Sequence, residues 1–147
     1  MASTTARLTL PMIEPGQAQK ELTHNEALVL LDAAVQPAVE AIGIDVPPTA
    51  PLAGQAWIAG AAPTGAWAGQ PRVLAAWTAG GWRFVAAREG MAVWDIATRT
   101  TARYAGGGWR RASTLAAPAG GTVVDVEGRA AIAALTDALR AQGLVVP

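Results

Sequence analysis

Between residues 23 and 42 the apolar residues Leu28, Leu31, Val35, Ala38 and Ile42 recur at alternating spacings of three and four, which is the stripe of an amphipathic helix. Thr23 followed by Glu26 fits a capping box, in which hydroxyl and carboxylate each satisfy an orphan amide, so the pattern predicts a helix starting at Thr23. Pro37 has no amide hydrogen and clashes with the preceding turn, which predicts a kink or an end near Gln36, with Gly43 as a later stop. Beyond a proline-rich connector at 46–51 the period changes. Short runs at 55–59, 72–77, 82–86, 91–96 and 100–104, separated by Gly- and Pro-containing turns, predict an antiparallel meander.

Within that meander Trp77-Thr-Ala-Gly-Gly-Trp82-Arg83 is echoed 27 residues later by Tyr104-Ala-Gly-Gly-Gly-Trp109-Arg110. Two hairpins of like construction are predicted, each placing a strand-ending aromatic opposite a strand-starting Trp across a Gly-rich turn. Residues 113–124 read as a linker of small residues. Asp125 then caps a second helix whose stripe is Ile132, Leu135 and Leu139, with Gly143 as the left-handed residue that ends it. The fold class is therefore α+β: a small antiparallel, Trp-rich β meander or barrel-like body with an N-terminal and a C-terminal helix. Residues 1–50 form an arm and helix suited to attachment, 51–112 the β domain, and 113–147 the linker and last helix.

Composition sharpens this picture. The 147 residues include 35 alanines, each burying little area, so the core must lean on six Trp and the branched aliphatics. Eleven basic and eleven acidic residues cancel, which argues against nucleic acid as a partner. The charge is nevertheless segregated: 1–50 carries a net −4, 51–112 a net +5 from seven arginines, and 113–147 a net −1. Such opposition favours packing within one chain or contact between chains. There is no Cys, no secretory h-region and no run of about 20 apolar residues, so neither disulfides nor membrane insertion is expected.

Candidate chemistry is sparse. His24 has no second His and no Cys to complete a zinc set, so no metal or other cofactor is expected. Glu89 and Asp95 are the only acids of the strand region, and their flanks read as turns rather than as an acid/base pair. Gly106-Gly107-Gly108 precedes Trp-Arg-Arg rather than a helix and has no phosphate-cradle pattern. Flat aromatic faces remain, able to fill a core or to stack on sugars.

The strings Leu10-Pro-Met-Ile-Glu-Pro-Gly-Gln-Ala-Gln-Lys-Glu-Leu-Thr-His-Asn-Glu-Ala-Leu28, Leu31-Asp-Ala-Ala-Val-Gln36, Thr64-Gly-Ala-Trp-Ala-Gly69 and Arg88-Glu-Gly90 are shared with a family. So are Trp77…Gly81-Trp82 and the tail from Ala130 to Leu144. On these residues the chain resembles a family of uncharacterised proteins of alphaproteobacterial prophages and gene transfer agents. The resemblance implies a non-enzymatic particle component, a head spike, tail fibre or baseplate adaptor, made in the bacterial cytoplasm and working in the virion or phage-like particle. Other particle proteins are its implied partners. Gln17, Gln19, Lys20, His24, Asn25 and Glu26 are the family motif positions and candidate assembly residues. Ile132, Leu135 and Leu139 are candidates for self-association, with a trimer as the first expectation. The alternative is a carbohydrate-binding module for host surface or capsular polysaccharide, and Trp67, Trp77, Trp82, Trp94, Tyr104 and Trp109 are the candidate glycan or partner contacts.

Overall fold

A computed structural model describes residues 3–16 and 19–146. Helix α1 runs Lys20–Ala34. Eight strands follow: β1 Ala38–Val39, β2 Ile42–Ile44, β3 Ala56–Ala59, β4 Leu74–Thr78, β5 Gly81–Val85, β6 Ala92–Asp95, β7 Thr100–Ala105 and β8 Gly108–Arg110. Helix α2, Val126–Ala141, comes last. The strands make two open four-stranded sheets, ordered β1-β6-β7-β8 and β2-β3-β4-β5. The two share a plan: a short early strand lies parallel to the first member of an antiparallel three-strand meander.

The chain from 37 to 44 is the seam. The Trp94 amide donates to the Pro37 carbonyl and the Ile96 amide to Val39, which ties β1 to one sheet. Immediately after, the Glu40 amide donates to Ala56 and the Ile58 amide to Ala41, which ties β2 to the other. This corrects the predicted helix over 35–42. Helix α1 stops at Ala34, and Ala38 and Ile42 belong to strands, because the residues around Pro37 gain sheet partners that a kinked helix could not offer.

The start of α1 also differs from the expected capping box. The helix begins one turn earlier, after Gln19 in a left-handed conformation (φ 66°), and Thr23 is an exposed residue inside it. Glu26 does not reach back to the helix start, because Arg83 of β5 takes its carboxylate at 2.6 Å. Nor is Leu28–Leu31–Val35 the buried stripe. Asp32 and Ala33 are buried, while Leu31 and Val35 face outward.

Two hydrophobic clusters hold the body together. The first lies between the sheets and under α1, joining Ala33, Val39, Ile42, Ile58 and Leu74 to Val93 and Ala102. The second lies on the opposite face of β3, β4 and β5, where Trp57, Val73 and Ala75 pack with Trp67, Trp77, Trp82 and Phe84. Alternation along β5 follows from the pleat: Trp82 and Phe84 face the Trp cluster, Arg83 and Val85 face α1 and the inter-sheet core.

Both predicted hairpins are present. Trp77 pairs with Trp82 and Tyr104 with Trp109, the rings meeting edge to face at 5.0 and 5.5 Å. Their closures differ. Gly106 and Gly107 both have positive φ, 60° and 77°, the geometry of a type I′ turn. In the other hairpin Ala79 and Gly80 keep negative φ and Gly81 alone takes the left-handed region at 95°.

Candidate functional site

The polar string at 16–26 divides on inspection of the fold. Asn25 grips the arm, accepting from the Ile13 amide and donating to the Ile13 carbonyl, both at 2.9 Å. Glu26 holds Arg83. Gln19, Lys20 and His24 are exposed and available to a neighbour, and Gln17 lies outside the described residues. Among the described residues no group of three His, Asp or Glu side chains is arranged to hold a metal ion.

The arm is not extended. Thr4 bridges Pro11, the Thr5 amide donates to Leu10 and the Met12 amide to Ser3, so residues 3–12 double back as a tight hairpin. That hairpin docks on Asp32, whose carboxylate accepts from the Thr5 hydroxyl at 2.8 Å and from the Arg7 and Leu8 amides at 3.0 and 2.6 Å. The Arg7 guanidinium donates to the carbonyls of Asp32, Val35 and Gln36, satisfying the end of α1. Beneath the arm a cavity of 240 Å³ is lined by Thr5, Met12, Val29, Ala33, Gly54 and Trp77.

Most of the aromatic candidates are not free to meet a ligand. Trp67 is fully buried, which overturns its expected role as a glycan contact. It sits on a single 3-10 turn, Gly65–Trp67, with its ring 5.1 Å from Trp82 and 6.4 Å from Trp57. Trp77 and Trp82 are half-buried members of the same cluster, and Trp109 packs on the inter-sheet core while its indole N–H donates to the Arg72 carbonyl. Tyr104 is half-buried against Trp109. Trp94 is the exception, 40% exposed on the outer face of β6.

Glu89 and Asp95 behave as turn residues. The Asp95 carboxylate is buried and accepts from the amides of Ala97 and Thr98, while Glu89 accepts from the Gly106 amide. Each is committed to shaping a loop.

The clearest unpartnered surface is α2. Its Asp125 cap is present, accepting from the Gly128 amide at 2.7 Å, and Gly143 (φ 67°) ends the helix as the sequence predicts. Yet none of its residues is buried: Ile132 and Leu135 are exposed, Leu135 at 62%, and Leu139 is half-buried. The chain just past its C-terminal end is held to the body. The Thr101 amide donates to the Gly143 carbonyl, the Val146 amide to Ser113, and Val145 is buried. A Cβ on Gly143 would lie 2.5 Å from the Trp94 ring, on top of its positive φ. Gly143→Ala is therefore expected to unseat the tail, read as faster exchange of the Thr101 amide in hydrogen-exchange measurements with the body's melting unchanged. Unaltered protection at Thr101 would show that the seat does not depend on this approach.

A second apolar surface escaped the sequence reading. Ala27, Leu30, Leu31 and Ala34 of α1 line a groove with Phe84 and Val85 of the edge strand β5. Leu22 lengthens it along the helix. The spacing of Leu22, Leu30 and Leu31 holds a stripe, but the one through Leu28 and Val35 matched the helical period as well.

These features set the chain's body apart as a two-sheet α+β module with one helix before the sheets and one after them in sequence. The chain belongs to the family described as protein of unknown function DUF2793, whose model matches residues 24–110. The match starts inside α1 and ends with β8, so it takes in both sheets and leaves the docked arm and α2 outside. A comparison with curated proteins finds no match.

Proposed function

We propose that the chain is a non-enzymatic structural component of a phage-like particle, a spike, fibre or baseplate adaptor serving assembly or host attachment, with α2 joining it to further copies of itself. The observation that supports this reading is α2, a 16-residue helix about 24 Å long by its rise per residue, which carries an apolar stripe and leaves its Ile132 and Leu135 exposed. A helix of that length is marginal in water unless its stripe is covered, so a fold that keeps it calls for a partner. A second copy supplies the same stripe, and three copies around one axis cover it on both flanks. The association with a particle rests on the sequence resemblance.

Light scattering over a range of concentrations tests the assembly step. The full chain is expected to be a trimer, and Leu135→Asp, which places a charge in the middle of the stripe, is expected to give monomers with an unchanged melting profile for the body. A full chain that stays monomeric at every concentration would retire self-association through α2. Particles made in a host carrying Leu135→Asp should then lack the protein.

A second reading, a carbohydrate-binding module, is favoured by Trp94 alone, which is 40% exposed on the outer sheet face with Gly143 against one edge of its ring. Trp67 has no part in it.

A further inference from the structure

On the sheet β1-β6-β7-β8 the inward residues Val93 and Ala102 belong to the core, which turns Ala92, Trp94, Thr101, Arg103 and Arg110 to the other side. Arg103 and Arg110 are directly opposite each other in the β7–β8 register, and both are exposed. Like charges at such a position repel, since cross-strand neighbours are only about 5 Å apart. Among the described residues the two ion pairs are Arg83–Glu26 and Arg140–Asp137, so neither Arg103 nor Arg110 has a carboxylate partner. The Arg103 guanidinium lies beside Gly90, and that of Arg110 lies beside Gly106 and donates from Nε to the Ala105 carbonyl at 3.4 Å. Glu89 is the acid of that end, and its carboxylate is engaged with the Gly106 amide. Trp94 shares the face, one pleat from Arg103 through the Trp94–Thr101 pair.

We infer that this outer sheet face binds an acidic polysaccharide, Arg103 and Arg110 together clasping a sugar carboxylate while a neighbouring ring stacks on Trp94. The inference rests on the carbohydrate reading above and adds the class of sugar. Two guanidinium forks carried at directly opposed positions of one sheet face suit a carboxylate, which accepts paired N–H donors in one plane. An adjacent aromatic face suits the apolar side of a sugar ring. Duplex nucleic acid fits less well, because binding to its backbone draws on many phosphate contacts and the chain is neutral overall.

The test uses the full chain with polygalacturonate as the acidic probe, dextran as the neutral one and duplex DNA as the polyphosphate, measured by calorimetry at low and raised salt. Polygalacturonate is expected to bind, to weaken with salt, and to lose at least about tenfold in affinity in the double variant Arg103→Gln/Arg110→Gln. Arg88→Gln, which removes the same charge from the α1 side, should leave binding unchanged. Because both arginines are exposed and repel each other, the double variant should melt no earlier than the parent, so lost binding cannot be assigned to unfolding. Binding of dextran and polygalacturonate alike, indifferent to the double variant, would overturn the acidic-ligand inference and leave the carbohydrate reading standing. No binding of either glycan would overturn both. Tighter binding of DNA with the same arginine dependence would reassign the face to phosphate.

Discussion

Trp67→Ala is expected to cost about 3–5 kcal/mol of stability, the largest loss from any single side chain in this molecule. Trp67 is fully buried, and it reaches the cluster from outside the sheet, on the 3-10 turn between β3 and β4. Its ring stands nearly perpendicular to Trp82, which in turn meets Trp57 at 5.6 Å and Trp77 at 5.0 Å. Removing it would leave a void walled by aromatic faces, too apolar to be filled usefully by water, and the alanines that dominate the facing strands are too short to collapse into it. Among the described residues the buried Trp67 indole N–H has no hydrogen-bond partner. Trp67→Phe therefore gives up ring area but no hydrogen bond, and its loss should be clearly smaller than that of alanine. Urea unfolding followed by near-ultraviolet circular dichroism measures both. A Trp67→Ala protein within about 1 kcal/mol of the parent, the range of ordinary surface substitutions, would mean that the turn carrying Trp67 contributes nothing to the core.

What the sequence made legible were features whose cause is local. The aromatic pairs Trp77–Trp82 and Tyr104–Trp109 declare themselves because a two-residue turn fixes the register and the glycines announce the turn. The cap of α2 at Asp125 and its stop at Gly143 are equally local. The seam was hidden, because β1 and β2 are two and three residues long and owe their existence to β6 and β3, far along the chain. A stripe with helical spacing that runs on through Val35, Ala38 and Ile42 reads the same whether those residues continue a helix or leave it for two sheets. The burial of Trp67 was hidden for a related reason: its neighbours in sequence read as a Gly-rich loop, and only the tertiary fold brings that loop over the sheet. Of the candidate site residues, Gln19, Lys20, His24, Ile132, Leu135 and Trp94 remain exposed enough to meet a partner or ligand, and Leu139 is half-buried. Asn25 and Glu26 turned inward because the arm and β5 needed them.

The docked arm makes the second large prediction, that it adds to the stability of the body. Asp32→Ala is expected to cost about 2–4 kcal/mol, because it strands two backbone amides and a hydroxyl that have left water for one carboxylate. Asp32 is only 6% exposed, so solvent cannot replace the lost acceptor without opening the contact between arm and helix. Asp32→Asn should fall between, since it keeps one acceptor oxygen and turns an amino group toward donors. The hairpin also carries Arg7, whose guanidinium satisfies carbonyls at the end of α1. Loss of the docking therefore frays the helix where it hands over to β1. Deleting the arm removes the same contacts, so adding Asp32→Ala to the truncated chain should cost little more. Thermal unfolding of the four proteins measures this coupling. If the truncated chain melts with the parent and Asp32→Ala is equally silent, the hairpin is a passenger on the body; if both fall together, the attachment proposed for this end falls to the exposed Gln19, Lys20 and His24 while the arm stays docked.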